Sequence, residues 1–239
     1  MRGAEAFAGT PADRAWAAYQ LGELYFNDGR LDEAAAQYRR GTKLAPEYVP
    51  PQAGLAKVAW ARGDVRDAIE RFTEVTLRYP SPEYVIALGD LYEAAGEPDL
   101  AQEQFDLVAT IRRLLTANGV NVDLELALFE ADHGDAAGAL ATARAEWERR
   151  HSIHVADALA WALHANGRDR EAARYATRAL SLGTRNALFL FHAGMIRLGL
   201  GDREAARVLL ERAVDTNPSF SIAYAPVALD TLRTLGGSA

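Results

Sequence analysis

The chain has 239 residues, of which 49% are hydrophobic and 25% are charged, and its formal net charge at pH 7 is −7. This composition is ordinary for a globular protein with a sizeable core. The acidic balance lacks the basic footprint of a nucleic-acid-binding protein, the absence of cysteine excludes disulfides and thiolate metal sites, and no apolar run approaches the roughly 18 residues of a membrane span.

A sequence motif recurs along the chain. A glycine precedes each acidic, alanine-rich run, and successive glycines are separated by 34, 33, 38, 33 and 34 residues. They are Gly29, Gly63, Gly96, Gly134, Gly167 and Gly201. Each interval holds two stretches with the apolar period and the length of an ordinary helix. Self-similarity at this spacing predicts an all-α array of helix hairpins.

The first repeat, residues 15–48, shows how each hairpin is expected to begin and turn. Thr10 before Pro11 predicts a hydroxyl cap and a proline in the first helical turn. Gly29 is expected to end the first helix, because a left-handed backbone costs glycine little. An acid follows the turn, Asp32 in this repeat. It is expected at the start of the second helix, where a carboxylate interacts favourably with the positive end of the helix.

Small residues are expected where the two helices of a hairpin meet. Gly22 in the first helix and Ala34 in the second would face each other and permit a close approach. Leu21 and Tyr38 would then fill the groove between neighbouring hairpins. The fourth and fifth repeats lack the aromatic residue, so we expect tighter, alanine-based packing there.

The second and third repeats are predicted over residues 49–81 and 82–119. Ser81 before Pro82 predicts another capped helix start. The longest interval between glycines is explained by a single helix from Asp99 to Asn118, because four additional residues add about one helical turn and keep the phase. The alternative is a bend between two halves of three repeats each.

Three further repeats are predicted over residues 120–152, 153–186 and 187–220. A final helix is expected over residues 221–235, with Pro226 near its start. The last repeat of such an array has an apolar face that must be shielded from water. We therefore interpret the final helix as a capping helix.

This pattern resembles the tetratricopeptide repeat (TPR), in which W-x2-L-G-x2-Y is followed by A, F, A and P. The first repeat matches it at Leu21, Gly22, Tyr25, Gly29, Ala34, Tyr38 and Pro46, with Ala18 in place of the tryptophan. The resemblance covers residues 12–220 and implies a right-handed α-solenoid of about six hairpins, in one superhelical domain over residues 1–239. The chain also resembles the C-terminal part of longer bacterial TPR proteins of unassigned function, so residues 1–9 could end a preceding repeat.

The resemblance implies that the first helices line a concave groove that binds a peptide or a partner protein. The residues at groove positions are Tyr19, Glu23, Phe26, Lys57, Trp60, Glu83, Asp90, Glu93, Asp132, Asp157, Trp161 and Phe191. Exposed aromatic side chains there would anchor a ligand, whereas the alternative is that they pack against a neighbouring helix. We expect a non-catalytic scaffold, with no catalytic residue and no cofactor.

Acidic residues supply the charge of the predicted groove. Glu83, Asp90 and Glu93 are spaced i, i+7 and i+10 on one helix, and no basic residue lies between Arg78 and Arg112. Asp132 would continue this acidic patch. Such a patch favours a partner with a basic segment or a free N-terminal amine, and a solvated helix face is the alternative.

Two other functions remain as alternatives. Open array ends and exposed aromatic residues could join copies of the chain into a self-associating homo-oligomer. His151, His154 and Asp157 suggest a metal-dependent enzyme as a remote alternative, but their spacing diverges around the helix and no known catalytic motif is present, so no metal is expected. The cytoplasm is the default location for the chain as given, although a longer parent protein could be exported.

Overall fold

The computed structural model describes residues 9–119, 123–133 and 135–236, and every regular element in these ranges is an α-helix. Backbone contacts divide the chain into two compact units, one ending at Thr110 and one beginning at Ile111. The first unit holds α1 (Pro11–Asn27), α2 (Leu31–Leu44), α3 (Pro50–Ala61), α4 (Val65–Arg78), α5 (Pro82–Ala94) and most of α6 (Pro98–Ala117). The second holds α7 (Asp123–Asp132), α8 (Ala136–Arg149), α9 (Ile153–Ala165), α10 (Asp169–Ala179), α11 (Ala187–Gly199), α12 (Arg203–Thr216) and α13 (Tyr224–Gly236). The predicted all-α architecture of paired helices is confirmed, while the single superhelical domain and its repeat boundaries stay a prediction.

The turns between paired helices are made by glycine, as the sequence predicts. The described turn glycines have φ angles between 68° and 86°, in the left-handed region that favours glycine. They are Gly29, Gly63, Gly96, Gly167 and Gly201. Gly134, the remaining glycine of the series, lies outside the described residues.

Acidic side chains cap several of the second helices. The carboxylates of Asp64, Asp135 and Asp202 each accept a hydrogen bond from the backbone N–H three residues further on, at 3.1, 2.9 and 3.2 Å. These bonds satisfy backbone donors that a helix start leaves without a partner. The prediction of an acidic cap is therefore confirmed at these three turns.

The two predicted hydroxyl caps differ from each other. Thr10 Oγ1 accepts from the backbone of Asp13 at 3.1 Å, and the Asp13 carboxylate accepts in return from the backbone of Thr10 at 3.1 Å, which forms a capping box. Ser81 makes no cap hydrogen bond, so this prediction was wrong. The helix still begins there, because Pro82 has a backbone angle already suited to the first helical turn.

An aromatic ring packs directly on the small residue of the first helix. A Cβ atom added to Gly22 would lie 2.5 Å from the ring of Tyr38, and a Cβ added to Gly54 would lie equally close to the same ring. Tyr38 is thus held between α1 and α3 and is completely buried. The expected role of the aromatic residue between hairpins is thus confirmed, while the expected contact of Gly22 with Ala34 stays a prediction.

Alanine dominates the core of the second unit. The buried cluster around Leu159, Leu163 and Ile196 contains nine other residues, all alanine or leucine, and its members come from the five helices α7 to α11. They include Ala139 and Ala172, at a repeat position that is alanine in α2 and α4 as well. They also include Ala143 and Ala176, at a position where α2 and α4 have a larger side chain. Small side chains let helix backbones approach closely, as the sequence predicts for these repeats.

Two elements depart from the regular hairpin. The long helix predicted from Asp99 is confirmed as α6, a single helix of 20 residues. The final helix begins at Tyr224, three residues after its predicted start, because Pro226 is tolerated only within the first helical turn. Within the described part of the chain, no helix combines the length and the apolar character that crossing a membrane requires.

Candidate functional site

The groove positions of the first unit contain an ion pair between two repeats. Lys57 Nζ on α3 lies 2.7 and 2.8 Å from the two carboxylate oxygens of Glu23 on α1. Tyr38 donates its hydroxyl proton to the same carboxylate at 2.6 Å. Both charged side chains are about three-quarters covered, so their attraction is screened less than at an open surface. The charges of Glu23 and Lys57 are therefore largely satisfied within the chain.

Aromatic rings surround this ion pair. The Lys57 ammonium lies 4.9 Å from the ring centre of Phe26, which is only 4% exposed. Tyr19 lies 6.1 Å from Tyr38 between ring centres. Burial raises the pKa of Tyr19 and of Tyr38 well above the ordinary tyrosine value, and the negative charge of Glu23 adds to this effect. Both phenols are neutral hydrogen-bonding groups at any physiological pH.

The acids of α5 are more open to solvent. Glu83 and Glu93 are exposed and Asp90 is half-buried. Trp60, on the neighbouring first helix α3, is also partly exposed. We call the surface of α1, α3 and α5 that carries Tyr19, Glu23, Lys57, Trp60, Glu83, Asp90 and Glu93 the first-helix face. Residues 1–110 hold 11 basic and 18 acidic residues, so this unit is strongly acidic, whereas residues 111–239 hold 15 of each.

The groove positions of the second unit are filled by the chain itself. Trp161 on α9 is 8% exposed and Phe191 on α11 is 1% exposed. The ring of Tyr224, from α13, stacks on Phe191 with ring centres 4.9 Å apart and meets Trp161 edge-on at 5.6 Å. Trp161 and Phe191 therefore pack against neighbouring helices instead of being exposed to a ligand, and the same is true of Phe26.

Asp132 takes part in the same aromatic cluster. Its carboxylate accepts a hydrogen bond from Trp161 Nε1 at 2.7 Å and another from the hydroxyl of Tyr224. Partial removal of the carboxylate from water raises the pKa of Asp132, although the residue as a whole is exposed and both hydrogen bonds act in the opposite direction. Asp132 therefore joins α7 to α9 and α13, and its acceptor atoms are already engaged.

A buried Asp–His pair lies beneath this cluster. His192 Nδ1 donates to Asp157 Oδ2 at 2.9 Å, and both side chains are buried. The ring of Trp161 stacks on His192 with centres 4.3 Å apart. Asp157 Oδ1 and His192 Nε2 have no hydrogen-bond partner among the described residues. Asp157 is therefore an internal residue rather than a contact for a ligand.

The histidines considered as metal ligands are not brought together. His151 packs on Trp147 and His154 on Phe189, with ring centres 4.4 and 5.3 Å apart. Asp157 faces His192 instead. Among the described residues, these three side chains do not form a group of converging metal-ligand atoms.

Comparison with protein families agrees with this architecture. Models described as tetratricopeptide repeat match residues 15–48, 54–113, 156–187 and 187–220. The chain is a tetratricopeptide-repeat protein. Proteins of this family generally bind other proteins and are generally non-catalytic. A comparison with curated protein sequences finds no significant match.

Solved structures show the same fold at low sequence identity. A tetratricopeptide repeat protein from Parabacteroides merdae is 17% identical, with a TM-score of 0.56 over 93% of this chain and 84% of the other. The APC/C hetero-tetramer Cut9–Hcn1 is also 17% identical, with a TM-score of 0.52 over 92% of this chain and 42% of the other. At such identity these similarities show the TPR fold alone.

Sequence reasoning missed three residues of these clusters. Tyr38 was expected only to fill space, yet its hydroxyl binds Glu23. His192 lies 35 residues from Asp157, almost one repeat, and this spacing was the available signal for their contact. Tyr224 gave no signal, because its contact with Asp132 joins residues 92 positions apart.

Proposed function

We propose that this TPR protein is a non-catalytic scaffold that binds a peptide or partner protein on the first-helix face of the first unit. The observation that carries the proposal is the difference between the two units. In the second, Trp161 and Phe191 are covered by the chain's own residues. In the first, Trp60 is partly exposed and Glu83 and Glu93 are exposed. The first unit thus retains aromatic and acidic surface for a ligand.

The charge of the first unit favours a ligand with basic and apolar residues. Its 18 acidic residues outnumber its 11 basic residues, and α5 contains no basic residue at all. Complementary charge accelerates association and rejects partners of the same sign. Trp60 supplies a large, rigid ring of the kind that anchors peptides in helical grooves. The preferred segment would place an apolar side chain on Trp60 and basic side chains near Glu83 and Glu93.

Short labelled peptides of matched length test this function. One carries basic and aromatic residues, a second acidic and aromatic residues, and a third neutral residues, and each is titrated into the whole chain by fluorescence anisotropy. We expect the basic peptide to bind most tightly. Trp60→Ala and the double variant Glu83→Gln/Glu93→Gln are expected to weaken it by about tenfold or more, within the range of interface hot spots.

A charge-matched control separates the proposed face from general acidity. Glu74→Gln/Glu103→Gln removes two exposed acids from the second helices α4 and α6 and should change the affinity by less than about twofold. Equal loss in both double variants would show that only the overall charge attracts the peptide. Unchanged binding by the Trp60 and Glu83/Glu93 variants would reject the first-helix face as the site.

Self-association is a second candidate function, favoured by one exposed side of α1. Trp16 and Leu24 are spaced i, i+8 and are 53% and 51% exposed. Exposed apolar side chains on one side of a helix often mark an interface. If copies associate there, the mass measured by light scattering rises with concentration, and Trp16→Ser/Leu24→Ser abolishes the rise. A monomer mass that is independent of concentration would reject this candidate.

A further inference from the structure

A cleft lined by arginines lies on the second unit, apart from the first-helix face. It has a volume of about 540 Å³ and is lined by Arg170, Glu171, Arg174, Tyr175 and Arg178, all from α10. α10 is a second helix of its hairpin, whereas the first-helix face is built from first helices of the other unit. The cleft therefore has a composition and a place in the fold that the proposed function does not use.

The arginines form a stripe along α10. Arg170, Arg174 and Arg178 are spaced i, i+4 and i+8, so their side chains lie on the same side of the helix. Like charges at this spacing repel each other. Among the described residues, neither Arg170 nor Arg174 has an ion pair or a side-chain hydrogen bond. Nothing in the described part of the chain compensates these two charges.

The fold itself does not require this stripe. The same repeat positions, three, seven and eleven residues after the turn glycine, hold Arg66, Glu70 and Glu74 in α4. There, Arg66 Nε lies 3.1 Å from Glu70. In α12 those positions hold Glu204, Val208 and Arg212. Arginine thus occupies all three positions in α10, where these other repeats of the same chain have mixed charges.

Aromatic rings and one acid complete the cleft. The Arg178 guanidinium lies 5.5 Å from the ring centre of Trp147, which holds it in place by a cation–π contact. Tyr175 meets Trp147 edge-on at 5.3 Å. Glu171, the acid among the described lining residues, is engaged by Arg144 at 3.2 Å and by Arg168. Its negative charge is therefore already compensated beside the stripe.

We propose that this cleft docks an acidic segment of a partner protein. Guanidinium groups bind carboxylates with two parallel hydrogen bonds, and side chains spaced i, i+4 and i+8 present three such groups along one line. Tyr175 offers a ring beside them for an apolar residue of the segment. A short row of Asp or Glu residues matches the length and the charge of the cleft.

A protein segment fits this surface better than a nucleic acid. Nucleic-acid binding depends on a broad basic surface, yet residues 111–239 hold 15 basic and 15 acidic residues and the whole chain has a net charge of −7. Three of these basic residues line the cleft, which makes it a local cluster rather than a broad basic surface. Together with the first-helix face, this cleft would let one scaffold hold two ligands of opposite charge.

A labelled peptide rich in Glu tests the proposal with the whole chain. Fluorescence anisotropy should show binding that weakens as salt is added, and the peptide with Gln in place of every Glu should bind at least about tenfold less tightly. Arg170→Gln/Arg174→Gln should weaken binding of the Glu peptide by about tenfold or more, with an unchanged far-UV circular dichroism spectrum. Arg178 is left intact because it packs on Trp147.

The control removes two exposed arginines elsewhere. Arg39→Gln/Arg212→Gln changes the net charge equally, on α2 and α12, and should leave affinity within about twofold. The proposal is overturned if the Glu peptide does not bind, or if both double variants lose affinity equally. It is also overturned if single-stranded DNA binds more tightly than the peptide and loses affinity in the Arg170/Arg174 variant, because the cleft would then take a nucleic acid.

Discussion

Glu23 and Lys57 occupy equivalent positions in successive repeats, 34 residues apart, and their side chains form an ion pair with a shortest distance of 2.7 Å. Asp157 and His192 form a comparable contact between α9 and α11, 35 residues apart. In both cases a residue that looks like a ligand contact is bound by a side chain of the following repeat. Side chains that differ between repeats can therefore join neighbouring hairpins as well as recognise a partner.

The Glu23–Lys57 pair is expected to stabilise the first unit. Lys57→Met leaves the partly covered carboxylate of Glu23 with only the Tyr38 hydroxyl, and we expect a loss of about 1–2 kcal/mol in the free energy of unfolding. Urea denaturation followed by circular dichroism measures it. Lys43→Met, at the exposed end of α2, is the matched control and should change stability by less than about 0.5 kcal/mol. Equal effects of both substitutions would contradict this role.

Removing one member of the buried Asp157–His192 pair is expected to destabilise the protein more than replacing both members with leucine. Asp157→Ala leaves His192 without its acceptor and should cost about 2–4 kcal/mol of unfolding free energy. Asp157→Leu/His192→Leu removes both polar groups and should be less destabilising than Asp157→Ala. The exposed Asp215→Ala is the control, with little change expected. If the double variant is clearly less stable than Asp157→Ala, the two side chains stabilise the fold by more than satisfying each other's buried polar groups.

The carboxyl group of Glu146 is expected to make the stability of the second unit sensitive to acid. Burial alone would raise the pKa of this carboxyl, but hydrogen bonding and charge from Arg149 and Arg150 lower it below the ordinary value. A lowered folded-state pKa contributes stability above the unfolded-state pKa of about 4.3, and this contribution disappears as the pH falls through the folded-state value. Unfolding free energy should therefore begin to fall near about pH 5 and continue to fall as the pH drops through the lowered folded-state pKa of Glu146.

Two variants isolate the contribution of Glu146. Glu146→Gln should lower stability near neutral pH and flatten the acid dependence, because the amide does not ionise. Glu148→Gln, at an exposed position two residues away, should keep the wild-type slope. A Glu146→Gln protein with the unchanged slope would assign the acid sensitivity to other carboxyl groups.

Helix α5 packs so closely against α6 that one added methyl group is expected to destabilise the protein. A Cβ added to Gly89 would collide with the ring of Phe105, and overpacking of this kind costs about 1–3 kcal/mol. We expect Gly89→Ala to destabilise the protein, and Gly89→Ala/Phe105→Leu to lose less than the sum of the two single changes. Helix propensity alone would instead make Gly89→Ala about 1 kcal/mol more stable, and that result would contradict the packing account.

Local rules in the sequence predicted the fold well. Turn glycines, acidic caps and apolar periods act over fewer than about twelve residues, so the chain shows them directly. The cap at Ser81 failed because Pro82 alone is sufficient to begin the helix. Helix α13 begins later than the sequence pattern predicts, because Pro226 is tolerated only within the first helical turn.

The surroundings of the candidate site were less predictable. Groove positions of TPR proteins were identified by their place in the repeat, but exposure depends on residues from distant parts of the chain. Tyr224 covers Phe191 and binds Asp132, which is 92 residues away. Asp157 suggested a metal site because of nearby histidines in the sequence, whereas its carboxylate faces a histidine of the next hairpin.

Hydrogen–deuterium exchange of the whole chain, with and without the basic, aromatic peptide, shows which helices the ligand covers. We expect slower amide exchange in α1, α3 and α5 when the peptide is bound, with little change in the second helices α2 and α4. Trp60→Ala should abolish that protection at the same peptide concentration. Protection confined to the second unit, or spread equally over first and second helices, would contradict a ligand site on the first-helix face.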